Sequence, residues 1–272
     1  MMTTTRDPYT TARAMDPAMA ERMAGALEQR GADEAQRRFR DDYLARLPLG
    51  ARDRILDLGC GTGVLARHLA ARPGFAGRVT GVDHAAAFIE RARILAAQEG
   101  LANVVFAAGD AHATGLPGGA FDGAVLHTVL SHVRDPRAVV AEAARAVRPG
   151  GWIAVFDGDY AALVIDDPEG AVPFDANTTG LCAQPRVLRD LAPMLADAGL
   201  VLDGVHPYAY AEVGRGGYLL GLVERFSAIL IRDGDPEAQA RVDRLRARSD
   251  AGRFFAAVTY YAYLARRPDA HA

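Results

Sequence analysis

The ten residues Ile55-Leu-Asp-Leu-Gly-Cys-Gly-Thr-Gly-Val64 constrain this chain more than any other feature. A short apolar run meets glycine at every second position, Gly59, Gly61 and Gly63, and an apolar helical pattern follows. That order predicts a strand, a tight turn and a helix starting near Thr62. Glycine reaches backbone dihedrals that a side chain forbids and lets another molecule approach the main chain, while a helix start offers N–H groups with no internal partner. A second apolar run, Val79-Thr-Gly-Val-Asp83, ends in an acid. An aspartate there is placed to accept hydrogen bonds from the hydroxyls of a ribose. Together the two segments read as a nucleoside-cofactor site.

Spacing chooses between cofactors. A dinucleotide turn of the form G-x-G-x-x-G would need its third glycine at position 64, where the chain has Val64. Asp57, just before the turn, would repel a pyrophosphate but attract the ammonium of an amino-acid cofactor, directly or through water. Both observations favour S-adenosylmethionine over a nicotinamide dinucleotide. A glycine-rich turn alone is a weak signal; with the strand, the helix and Asp83 in order it becomes specific.

The 272 residues can bury a core without disulfide staples and suit one α/β domain with elaborations. With 31 basic against 34 acidic residues, the net charge of -3 gives no reason to expect a nucleic acid or an anionic membrane as partner. The expected partner is a small-molecule substrate, and monomer and homodimer both stay open. All the basic residues other than histidine are arginine, which excludes a Schiff-base lysine and a P-loop lysine. Cys60 and Cys182 are too few for a zinc site by themselves, and Cys60 lies inside the turn, so a reducing cytoplasm is expected. The start of the chain lacks the apolar core of a secretion signal, and no run is long enough to span a bilayer. The Ala and Arg enrichment is that of a GC-rich bacterial genome.

Asp16-Pro17 reads as an N-cap followed by proline at the first helical position, opening a helix that stops at Gly31. Ala35, Phe39, Tyr43, Leu44 and Leu47 predict a second helix before Pro48. Residues 1–50 are thus a helical segment, either a lid over the cofactor or a pair packed on the sheet edge, and 51–272 form the cofactor-binding domain. From Arg54 onward, short apolar runs alternate with helical ones, the pattern of a parallel sheet with helices on both faces. Strands are expected over 55–58, 79–83, 104–107, 121–126 and 152–156. Phe88, Ile89, Ala92 and Leu95 mark the inner face of the helix that ends at Gly100, and Asp135-Pro136 caps the helix before strand five, ahead of Pro149-Gly150-Gly151. Residues 158–184, rich in Asp, Gly and Pro, are too long for a routine connection and read as a substrate-side insertion. Pro185 then opens a helix in which Pro193 predicts a kink or break. A sixth strand over 200–213, an apolar helix over 218–231, a polar helix opened by Asp235-Pro236 and a last strand over 254–266 follow.

Taken in order, these motifs resemble the class I S-adenosylmethionine-dependent methyltransferases, in particular the ubiquinone/menaquinone-biosynthesis group. The likeness runs from about Arg54 to Asp157 through Ile55 to Val64, Val79 to Asp83, Ala108-Gly109-Asp110, Leu116-Pro117, Phe121-Asp122, His132-Val133-Arg134-Asp135-Pro136, Glu142 and Arg148-Pro149-Gly150-Gly151. It implies a Rossmann-like, doubly wound, seven-stranded and mostly parallel sheet with an antiparallel last strand. It also implies S-adenosylmethionine as cofactor and S-adenosylhomocysteine as product. The turn, with Asp57, Gly59, Cys60, Gly61, Thr62 and Gly63, would pack against the methionine and ribose parts. Asp83 would bind the ribose and Asp110 would accept from the adenine amino group, with His84, Gly109 and Ala111 flanking them. Asp122 and Glu142 read as structural.

His127 and His132 follow strand four, whose C-terminal end faces the ligand crevice in such sheets. His127 is expected beside the adenosyl or methyl group, and either histidine is a candidate general base. Methyl transfer to a neutral or anionic nucleophile needs mainly positioning and desolvation, so the chemistry does not require one. Tyr160, Asn177 and Cys182 are candidate walls of an acceptor pocket, and no metal site is expected. The expected activity is methyl transfer to oxygen, nitrogen or carbon of a small organic acceptor, a specialised metabolite among the options. No substrate-side signature of the quinone-modifying enzymes is recognisable. Two alternatives share the cofactor site: a cyclase or pericyclase that binds S-adenosylmethionine without transferring its methyl group, and a cofactor-sensing module.

Overall fold

A computed structural model describes residues 7–10, 15–170 and 182–269. Asn177 and part of the 158–184 insertion lie outside these residues. Five parallel strands form one side of the sheet: β1 Arg54–Leu58, β2 Arg78–Asp83, β3 Val104–Ala108, β4 Phe121–His127 and β5 Val147–Gly158, in the order β3-β2-β1-β4-β5. The strand β8, Phe254–Arg266, runs antiparallel beside β5 and carries β7, Val201–Gly214, on its other edge. These seven strands are the expected sheet. A two-residue strand, β6 Val164–Ile165, adds an eighth by pairing with Ala256 and Ala257 of β8, beyond the end of β5. The chain between β5 and β6 therefore leaves the sheet and rejoins the same neighbour, with a single 3-10 turn, Tyr160–Ala162, between.

Helices cover both faces because the inner strands are apolar on both, Ile55, Leu56 and Leu58 being fully buried. On one face pack α2 Glu34–Ala45, α3 Val64–Ala70, α4 Ala86–Gln98, α7 Tyr218–Arg232 and α8 Pro236–Asp250, around Trp152, Ala154 and Phe156 of β5. Against the other face, with Ile153 and Val155, pack α5 Pro136–Ala146 and α6 Leu191–Asp197. The helix α1, Pro17–Ala32, lies outside this sandwich, where Met23 and Ala24 pack on Ala85 and Phe88.

Local chemistry sets most boundaries. Asp16, Asp33, Asp135 and Asp235 each accept a first-turn N–H as N-caps. Two details differ from the sequence pattern. β5 begins at Val147 and runs through Pro149-Gly150-Gly151, since Val147 pairs with Phe121 across an irregularity and Gly150 and Gly151 bond to Arg267. The segment after Pro185 is broken, as Pro193 predicts, but the break falls two residues earlier: a 3-10 turn, Val187–Asp190, gives way to a short helix from Leu191 in whose first turn Pro193 needs no N–H. No described helix is long and apolar enough to cross a membrane.

Candidate active site

The strand order reverses at β1, whose two neighbours β2 and β4 connect in opposite directions, and such a switch point opens a crevice beyond the carboxyl ends of the strands. A cleft of about 820 Å³, counting its open mouth, lies there. Asp57, Gly59, Cys60, Gly61, Thr62, Asp83, His84, Ala111, His127 and His132 line it. Gly63, Gly109 and Asp110 do not, and each has a local reason. The Gly63 N–H closes the turn onto the Cys60 carbonyl at 2.8 Å, and Gly63 is the N-cap of α3, so the helix starts at Val64 rather than near Thr62. The Gly109 N–H is held by the Asp83 carbonyl at 2.9 Å. Asp110 is exposed and engaged by the backbone N–H and the ring of His112 at 2.9 and 2.6 Å.

Two acids stand on either side of the turn. Asp57, 1 % exposed, accepts from the Ala66 N–H at 3.1 Å, and burial raises its carboxyl to about 7 despite that bond, with Asp83 pushing in the same direction. Asp83 accepts from the Gly61 N–H at 2.8 Å and the Ala85 N–H at 2.9 Å, which fixes the acid against the turn; burial raises it too. Beside it the buried Nε2 of His84 has no hydrogen-bond partner among the described residues. A polar ligand group is what such an orphan lacks. A ribose with its hydroxyls, an ammonium and a close backbone approach at Gly61 fit these residues.

The two histidines are placed differently. His127 Nδ1 meets the Tyr43 hydroxyl at 2.8 Å and its ring stacks on Phe156, with centroids 4.8 Å apart. Burial and then Arg30 hold it well below the ordinary histidine value, so it is neutral. The next residue, Thr128, has a left-handed backbone, φ 56°, costing roughly 1–3 kcal/mol at such a site. Its N–H donates to the Phe156 carbonyl at 2.6 Å, so the strained turn is tied to β5. His132 is gripped by the N-terminal segment: its Nδ1 meets Asp7 Oδ2 at 2.8 Å, Thr10 donates to its carbonyl at 2.5 Å, and the Tyr9 ring lies 4.6 Å away. Burial lowers His132, but Asp7 outweighs it and the net shift is upward. Cys182 stands close by, its thiol on the Ser131 carbonyl at 3.3 Å, and the polar atoms of Asp7, His132 and Cys182 lie within 4.8 Å of one another. With Asp7 and His132 bonded to each other, the arrangement is that of an oriented imidazole.

Sequence reasoning missed Asp7, Tyr9, Leu27 and Arg30, of which the last three line the cleft. Asp7 and Tyr9 carry no local pattern. Arg30 does, because it falls seven residues after Met23 and four after Ala26, on the apolar stripe of α1, where an arginine is out of place. Of the expected acceptor-side residues, Tyr160 lines a second, smaller recess of about 330 Å³, counting its open mouth, that shares Tyr9, Leu27, Arg30 and His132 with the cleft.

Residues 55–151 match a family described as a methyltransferase domain. Over 88 % of its length the chain is 32 % identical to an uncharacterized 37.1 kDa protein in a transposon of Streptomyces fradiae, covering 70 % of it. It is 36 % identical to a 27-O-demethylrifamycin SV methyltransferase of Amycolatopsis mediterranei over 51 % of this chain and 49 % of that one. It is 41 % identical to a ubiquinone biosynthesis O-methyltransferase of Pectobacterium carotovorum over 37 % and 41 %. The chain thus spans less than half the length of these two named enzymes. In fold it is similar to a putative methyltransferase from Bacillus halodurans, with a TM-score of 0.62, 17 % identity and coverage of 84 % and 98 %. It is also similar to the [4+2]-cyclase SpnF, with a TM-score of 0.61, 24 % identity and coverage of 88 % and 85 %. Residues 55–151 thus carry a methyltransferase domain of the class I S-adenosylmethionine-dependent type, and S-adenosylmethionine is the cofactor of that family.

Proposed function

We propose that this protein transfers the methyl group of S-adenosylmethionine to an oxygen, nitrogen or carbon of a small organic acceptor. The observation that carries this reading is the shared wall: His132, oriented by Asp7, borders both the cofactor cleft and the adjoining cavity. When bound, the cofactor supplies an electrophilic methyl on a positively charged sulfur. Asp57 attracts the ammonium at the amino-acid end, and Asp83 receives the ribose hydroxyls. His84 offers its unpaired Nε2 to the nucleoside. His127, neutral and fixed by Tyr43 and Phe156, orients and desolvates. His132 Nε2, the ring nitrogen not used by Asp7, takes the proton that the acceptor gives up. Asp110 contributes through the loop it forms with His112, and the adenine amino group is its assigned partner. The helical segment 1–50 acts as the lid, which the positions of Tyr9, Leu27 and Arg30 support, and the insertion from 158 forms the acceptor side.

Incubation of the protein with S-adenosylmethionine and extracts of candidate metabolites, followed by mass spectrometry, tests this. A methyltransferase releases one S-adenosylhomocysteine per methylated product. Product formation with S-adenosylmethionine unconsumed would instead establish the cyclase reading, and cofactor binding with no product in any extract would favour a sensing module.

A further inference from the structure

We infer that the second cavity anchors the acceptor and selects a flat organic anion, a carboxylate or an acidic hydroxyl on an aromatic or conjugated ring. The inference rests on the methyl-transfer reading and names its substrate class. The cavity is bordered by two arginines, Arg30 from α1 and Arg225 from α7, both half-buried. Neither has a carboxylate partner among the described residues. Several other arginines carry acids, Arg67 pairing with Glu28 and Glu99, Arg189 with Asp159, and Arg244 with Asp167 and Glu237, whereas the buried Arg40 has only the Gly31 carbonyl among the described residues. Two guanidinium groups in one recess without an anion are costly to desolvate, and a bound anion is what offsets that cost.

The two acids that act on His132 do not serve. Asp7 is taken by His132 and by the N–H groups of Tyr9 and Ala183, and Asp157 by the Ser131 N–H and hydroxyl and the Gly158 N–H. The remaining walls are aromatic or aliphatic. Tyr9, Tyr160, Tyr218, Phe226 and Leu222 surround the arginines, and the Arg225 guanidinium lies 6.0 Å from the centroid of the Tyr218 ring. Burial keeps the Tyr9 and Tyr160 phenols protonated, so they present donors. An arginine guanidinium keeps its charge even where burial opposes it, so Arg30 presents a cation to the recess. A planar oxyanion suits this set: guanidinium forks and phenol hydroxyls bind the charge while the ring packs on aromatic faces. Arg30 borders both cavities, so an anion held there has the rest of its ring beside His132 and the cofactor cleft.

Calorimetry on the full chain tests this in two stages. S-adenosylhomocysteine is titrated first; then benzoate, 4-nitrophenolate at pH 8 and the neutral benzamide are each titrated into the saturated protein. At least one anion should bind about tenfold or more tighter than benzamide. Benzoate alone would identify a carboxylate, and both anions together an oxyanion of either kind. Arg225→Gln, a residue outside the cofactor cleft, should abolish the preference while S-adenosylhomocysteine binds as in the parent, and Arg225→Lys should restore part of it. Should S-adenosylhomocysteine fail to bind the parent, the methyl-transfer reading falls, and this inference with it. If it binds but neither anion exceeds benzamide, or if the preference survives in Arg225→Gln, the anion pocket alone is overturned.

Discussion

At the scale of single residues, Asp57 trades stability for binding. Its folded carboxyl titrates at about 7, above the unfolded value, so the fold loses stability as pH rises from about 4 to about 7 and bears the full cost beyond. The ligand's ammonium favours the ionised form. Affinity for S-adenosylhomocysteine should therefore weaken as pH falls below about 7, by up to about tenfold per unit. Asp57→Asn should be no less stable at pH 8, bind more weakly and lose this dependence; parallel pH profiles by calorimetry would remove Asp57 from the site. Gly61 and Gly63 separate function from fold. Both have positive φ, 54° and 78°, but a Cβ at Gly61 meets the tip of Leu27 at 2.9 Å, whereas at Gly63 it meets the Phe106 ring at 2.6 Å. Gly63→Ala should lower the melting temperature markedly, while Gly61→Ala keeps most of the fold and loses cofactor affinity. The reverse pattern would make the turn merely structural. His132 yields the sharpest kinetic expectation. As the base it must be unprotonated, so turnover should rise with pH through a limb above the ordinary histidine range, and Asp7→Asn should move that limb to lower pH. His132→Gln should cost about 100-fold in turnover and His127→Gln less than about tenfold. A loss under tenfold in His132→Gln, with cofactor affinity intact, would leave positioning as the whole mechanism.

At the scale of elements, α1 is fastened to the cofactor turn through one acid. Glu28 accepts from the Thr62 hydroxyl at 2.5 Å and pairs with Arg67 of α3 at 2.7 Å, while Arg67 also pairs with Glu99 after α4. The clamp holds Leu27 and Arg30 over the cleft. Glu28→Gln should cost about 1–2 kcal/mol of stability in chemical denaturation and weaken cofactor binding, because it leaves the nearly buried Arg67 with half its charge balance. Unchanged affinity would show that α1 only caps the sheet edge. The elements themselves were largely legible: proline after aspartate gave the helix starts at Pro17, Pro136 and Pro236, and alternating apolar runs gave the strands. What could not be read was long-range. β6 is two residues long and exists only because β8 extends past β5, and Asp7 meets His132 across 125 positions.

At the scale of the whole molecule, the sheet order puts the ends of β1, β2 and β4 at one crevice, which is why residues far apart in sequence, Asp57, Asp83 and His127, line one cleft. That much of the site followed from strand order and glycine spacing. Asp110 shows the limit: a motif position locates a loop but not how its side chain is held, and here His112 engages one carboxylate oxygen while Ala111, not Asp110, lines the cleft. The proposed acceptor side draws on α1, α7 and the N-terminal segment, elements outside the family match, and so carried no motif. The central claim is that this crevice holds S-adenosylmethionine with its ribose on Asp83. The most direct measurement is calorimetric titration of S-adenosylmethionine into the parent protein and Asp83→Ala, each checked for folding by circular dichroism. One molecule should bind per parent chain, and the substitution should weaken binding by about 2–4 kcal/mol, roughly 30- to 1000-fold. An unchanged dissociation constant in folded Asp83→Ala, or no binding to the parent, would contradict it.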